Sequence, residues 1–186
     1  MELAKEEVYL GGAIRLLAQN LIAVKPFNLA EADKEKILVP AEYDKINDKL
    51  ANFRLICLYF LIIQKNRINS RRTPEEIGAT IMQAIELAYL DNGYSEEQTN
   101  VLLEQLMDSV ENYNNHIKSE AGEEVKGGIH QLLCDSFADE VMPVTNAEDA
   151  VQKDKRWFAY ITAMQTFSTV MAGIDKVFQT YNVVDM

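Results

Sequence analysis

The sequence predicts an all-α protein: an up-and-down helical bundle of five or six helices, with a buried central helix (about 41–69) and a long C-terminal helix (about 146–182). Three observations lead there. Apolar residues recur at steps of three and four, the spacing of one face of a helix. Thr73/Glu76, Ser95/Gln98 and Thr145/Glu148 each stand at capping-box spacing ahead of such a row and mark helix starts. Gly and Pro fall mostly at the ends of the rows, and no alternating strand pattern competes. At 186 residues, 48% of them apolar, the chain is long enough for a sizeable core and reads as one helical-bundle domain, 1–186.

The first helix is expected from Ala4 to Val24 on the row Leu10, Ile14, Leu17, Leu21 and Val24, with Lys25 and Pro26 ending it. Gly11 and Gly12 lack the Lys-Ser or Gly that would complete a phosphate loop, so they read as permitting a close helix crossing or a break. Asn28 and Glu31 suggest a short capped turn before Pro40. The second helix should run from Pro40 or Ala41 to about Asn69, and its stretch FRLICLYFLII (Phe53 to Ile63) holds one charge. Flanking polar residues leave it short of the ~20 apolar residues that span a membrane. A helix apolar all round is buried all round, so this stretch is expected to be the central strut.

Thr73 as N-cap, Pro74 at the first helical position and Glu76 two residues on open the third helix, and Asp91, Asn92 and Gly93 close it. The fourth, from Ser95, carries Leu103, Leu106, Val110, Tyr113 and Ile117; Gly122 breaks the pattern, and a fifth is expected from about Glu123 to before Pro143. The sixth has the most regular row, Trp157, Tyr160, Met164, Phe167, Met171, Ile174, Phe178 and Tyr181, which is expected to face inward. A second row (Phe158, Ile161, Val170, Val177) would then face out and offer a homodimer seam along helix 146–182.

The motifs of catalysis are sparse. His116 and His130 belong to no Glu-x-x-His or His-Glu-x-x-His pattern, and His130 is expected at most to hydrogen-bond Glu111 across neighbouring helices. Cys57 and Cys134 stand alone in apolar rows and read as buried thiols of a reducing cytoplasm, and Glu2, Glu6 and Glu7 are the wrong charge for a secretory leader. No catalytic residue and no cofactor is expected. Glu75, Glu76, Glu86 and Asp91 invite comparison with helical phosphohydrolases that hold magnesium on clustered carboxylates, an alternative weakened because Ala79 and Thr80 follow Glu76 where a second acid is needed. A receptor for a small apolar ligand, built around Trp157, Phe158, Tyr160, Met164, Phe167 and Met171, is a further alternative.

Charge is the most distinctive feature. Residues 1–72 carry net +3 and residues 73–186 net −14, and between Thr73 and Ile117 stand nine acids and no Lys or Arg. Glu97, Glu104, Asp108 and Glu111 form a stripe on the fourth helix, which repels nucleic acid and attracts a basic protein. Lys65, Arg67, Arg71 and Arg72 form the converse cluster, a site for a small anion or a complement to the helix dipole. The function expected from these residues is that of a non-catalytic regulator, adaptor or inhibitor that binds a basic protein partner through its acidic helical face.

Overall fold

The computed structural model describes residues 5–64, 72–120 and 128–185. Within them the chain is helical almost throughout: α1 (Leu10–Ile22), α2 (Leu29–Ala32), α3 (Pro40–Gln64), α4 (Pro74–Asp91), α5 (Glu96–Glu120), α6 (Ile129–Val141) and α7 (Ala150–Thr180), with short strands β1 (Glu7–Tyr9) and β2 (Asn182–Val184). No helix of the described residues is long and apolar enough to cross a membrane. The contacts group into two compact units, one of Met1–Val24, Leu55–Met107 and Thr169–Met186, the other of Lys25–Arg54 and Asp108–Ser168.

In the first unit α1 lies along α4. Leu10, Ile14 and Leu17 of α1 and Ile81, Ile85 and Ala88 of α4 are buried, as both rows require. Polar groups hold this pair at the end of α4: the Arg15 fork donates two bonds of 2.6 Å to Asp91, and the Gln19 amide donates to the same carboxylate. Helix α4 begins where its capping box forms, with Thr73 N–H donating to Glu76 Oε2 (2.8 Å) and Glu76 N–H to Thr73 Oγ1 (3.3 Å). It ends at Gly93, whose φ of +86° only glycine adopts without strain. Thr73→Ala removes the acceptor for an otherwise unpaired N–H, so urea titration should show a loss of about 1 kcal/mol. β1 and β2 pair in parallel, Glu7 opposite Asn182 and Tyr9 opposite Val184.

In the second unit the centre is aromatic. Phe53 of α3 has no exposed surface and packs against Phe137 of α6 (ring centroids 4.7 Å apart) and Tyr113 of α5 (6.1 Å). Arg156 clasps α7 to α6 through Asp139 (2.6 Å) and Asp135 (3.0 Å), and Lys155 joins it to α3 at Glu42 (2.6 Å). Cys134 here and Cys57 in the first unit are buried thiols, and burial pushes Cys134 up to about 12.

The expected elements are present, with displaced edges. Where the first helix is expected to begin, Glu7–Tyr9 form β1 instead, because they bond to a strand far along the sequence, and α1 starts at Leu10; residue 4 lies outside the described residues. Asn28 makes no side-chain cap to α2. Residues 65–69 of helix two and 123–127 of helix five lie outside the described residues, and α6 is described from Ile129. The Thr145/Glu148 box does not form. Both Thr145 and Asn146 donate to the Gln152 side chain, Asp149 Oδ1 accepts from Gln152 N–H, and α7 starts at Ala150. An added Cβ at Gly11 or Gly12 would meet only ordinary contacts at 3.6 Å, so neither glycine serves a close crossing; a Cβ added at Gly78, by contrast, would come within 2.8 Å of the Tyr59 hydroxyl.

The largest correction concerns α7. Its buried row is Ala159, Thr162, Ala163, Thr166, Phe167, Val170 and Ile174, whereas Trp157 stands outside. Phe167 and Ile174 of the expected row are buried, but the stripe continues through Ala159, Thr162, Ala163 and Thr166, which a periodicity read from large side chains alone does not mark. Val170, expected on the outer row, is buried, and Ile161 of that row is exposed.

Candidate functional site

The α4–α5 hairpin of the first unit carries the candidate site. Asn92 N–H closes α4 on Ala88 O, Gly93 reverses the chain, and Tyr94 N–H bonds back to Tyr89 O (3.2 Å), which sets the two tyrosine rings edge to face at 5.3 Å. Ser95 then opens α5 with the expected box: Ser95 N–H donates to Gln98 Oε1 (3.0 Å) and Gln98 N–H to Ser95 Oγ (3.2 Å). This local chemistry fixes the register of the first turns of α5. Leu106 and Thr99 turn inward, and Glu97, Val101 and Glu104 point to solvent.

A groove of about 440 Å³ results, lined by Tyr94, Glu97, Gln98, Val101 and Leu102. Tyr94 is 38% and Val101 48% exposed, so the groove presents apolar surface to solvent. Glu97 is among its lining residues, and Glu104 stands three residues beyond Val101, one turn along the same face. Neither carboxylate has a hydrogen-bond or ion-pair partner among the described residues, in contrast to Glu42, Asp91, Asp135, Asp139 and Glu140, which are all paired. An apolar patch edged by uncompensated negative charge attracts an apolar group that carries ammonium or guanidinium beside it.

The other predicted residues are distributed as follows. Asp108 and Glu111 are exposed on α5 in the second unit, also without partners among the described residues. Of the basic cluster, Lys65, Arg67 and Arg71 lie outside the described residues; Arg72 forks onto Asp185 (2.5 and 3.1 Å) and donates to Thr80 Oγ1 (2.8 Å). Glu75, Glu76, Glu86 and Asp91 are not brought together. Glu76 is held in the capping box, Asp91 lies at the opposite end of α4, roughly 20 Å away at 1.5 Å per residue, and among the described residues no group of three metal-ligating side chains forms. His130 packs on the ring of Phe167 (6.0 Å) rather than bonding Glu111.

Sequence reasoning marked the acids and missed the apolar part of this face. Tyr94 sits in a turn, and Val101 falls between Glu97 and Glu104 off the inward row. That break in an otherwise polar face is the signal that would have found it. No family model, curated protein or solved structure matches the chain.

Proposed function

We propose that this protein acts by binding a protein partner, as a regulator, adaptor or inhibitor, and that the α4–α5 hairpin receives a basic amphipathic segment of that partner. The observation that carries this reading is the exposed apolar pair Tyr94 and Val101 beside the unpaired carboxylates Glu97 and Glu104, in a stretch from Thr73 to Ile117 with no Lys or Arg. The apolar groove supplies short-range burial, and the negative field supplies rate and selection against acidic competitors. A reducing cytoplasm is the setting we propose, in keeping with the two buried thiols.

The test is titration with an amphipathic, lysine-rich helical peptide at two salt concentrations. Exposed charge pairs contribute roughly 0.2–1 kcal/mol each, so Glu97→Gln with Glu104→Gln should weaken binding about 2- to 30-fold and flatten its salt dependence. Val101→Asp should abolish it. A second pair, Asp108→Asn with Glu111→Gln, measures the share of the remaining two acids. Unchanged affinity in both the charge variants and Val101→Asp removes this face as the interface.

A further inference from the structure

The second unit contains a separate groove of about 520 Å³, lined by residues 27–37 ahead of α3 and by α7 between Asp154 and Gln165. Two large aromatic side chains stand on it with much of their surface in water: Trp157 is 60% and Phe27 39% exposed. Leaving such rings in water forgoes the burial that dominates folding. Yet neither is slack.

Phe27 is held at three points. Its N–H donates to Asn47 Oδ1 (3.0 Å), its carbonyl accepts from Asn47 Nδ2 (3.1 Å), and its ring lies under the buried guanidinium of Arg54 at 5.3 Å. Trp157 is stacked on Tyr160, with rings 14° from parallel and centroids 5.4 Å apart. The non-helical segment that lines the groove after α2 is pinned by Asp33, which accepts from Ile37 N–H, Leu38 N–H and the Tyr43 hydroxyl. The volume lies within the roughly 300–1,000 Å³ of small-molecule sites.

Charge selects the ligand. Three carboxylates (Asp33, Glu35 and Asp154) and one ammonium (Lys34) line the groove, and Glu35 and Asp154 have no ion-pair partner among the described residues. A cation is attracted both by this imbalance and by the face of an indole, the best of the aromatic partners. From the exposed aromatic rings that line it and the surplus negative charge we infer that this groove binds a small organic cation with an apolar or aromatic body, of the quaternary ammonium or protonated amine class.

The chain has a single tryptophan, so Trp157 emission reports the site directly. Benzyltrimethylammonium, neutral benzyl alcohol and anionic benzenesulfonate are titrated in turn, with calorimetry in parallel. Saturable binding of the cation, weaker binding of the alcohol and none of the sulfonate is the expected order. Asp154→Asn should weaken the cation about 2- to 5-fold and leave the alcohol unchanged; Trp157→Ala, at an exposed position, should abolish the calorimetric signal of both. No saturation by the cation at millimolar concentration, or equal binding of cation and sulfonate, overturns the inference. Both outcomes leave the α4–α5 reading untouched, since the two sites share no residue.

Discussion

Phe53→Ala is expected to destabilise the protein by about 3–5 kcal/mol, the range for truncating a fully buried phenylalanine. Phe53 has no solvent exposure and touches aromatic rings from two other helices, Phe137 at 4.7 Å and Tyr113 at 6.1 Å, both tilted in the favourable manner. The cavity left behind would be walled by the rings of Phe137 and Tyr113, which have few rotamers with which to fill it. Relaxation therefore recovers little of the loss. Urea unfolding followed by circular dichroism measures it; a loss below about 1 kcal/mol would mean that the aromatic centre does not carry this unit. Trp157→Ala, which removes a larger but exposed ring, should change stability little by comparison.

The second large effect is expected at Asp33, a carboxylate only 3% exposed. Burial alone would raise its pKa. Hydrogen bonds from Leu38 N–H, Ile37 N–H and the Tyr43 hydroxyl together outweigh burial and hold it below the ordinary carboxylate value. Asp33→Ala leaves those donors without an acceptor, at about 1–3 kcal/mol for each that stays buried, so a loss of roughly 2–5 kcal/mol is expected. The linked pH dependence has a definite sign. A depressed native pKa stabilises fully above the unfolded value, near pH 4, and that stabilisation is lost as pH falls through the lower native value. Wild type should lose stability on acidification below about pH 4, and Asp33→Asn should show a shallower fall. Glu42 and Asp91, also held low, keep the fall from vanishing. An unaltered acid limb in Asp33→Asn would show that the carboxylate is not ionised in its buried place.

What the sequence made legible depended on distance along the chain. The Thr73 and Ser95 capping boxes involve partners three residues apart, and both formed as expected. The stretch from Phe53 to Ile62 was legible as a buried strut because burial on all sides leaves no polar face; even Arg54 within it is buried, its charge placed over Phe27. Asp33 was not legible. It lies in a run of Glu and Lys that reads as solvent-facing, and Tyr43, which completes its set of donors, is ten residues away. The α7 stripe was legible only in part, at Phe167 and Ile174, for another reason: Ala159 and Ala163 carry weak hydropathy signals yet are fully buried, and Trp157 is exposed. Of the binding faces, the acidic half is compositional and visible, whereas the apolar half consists of single residues, Tyr94 and Val101, whose exposure is settled by the hairpin.

The parallel pairing of β1 with β2 bears on the order of folding. Glu7 and Asn182 lie 175 positions apart, and closing a loop of that length from an open chain costs on the order of 5 kcal/mol. Three residues per strand cannot offset that, since even longer isolated two-stranded pairs are marginal in water. The strands therefore join only after the helices have brought residues 7 and 182 close, among the last contacts to form. Protection of the amides in this pair thus serves as a clock for completion: helix formation is early and local, and the closing of this small seam marks the native state.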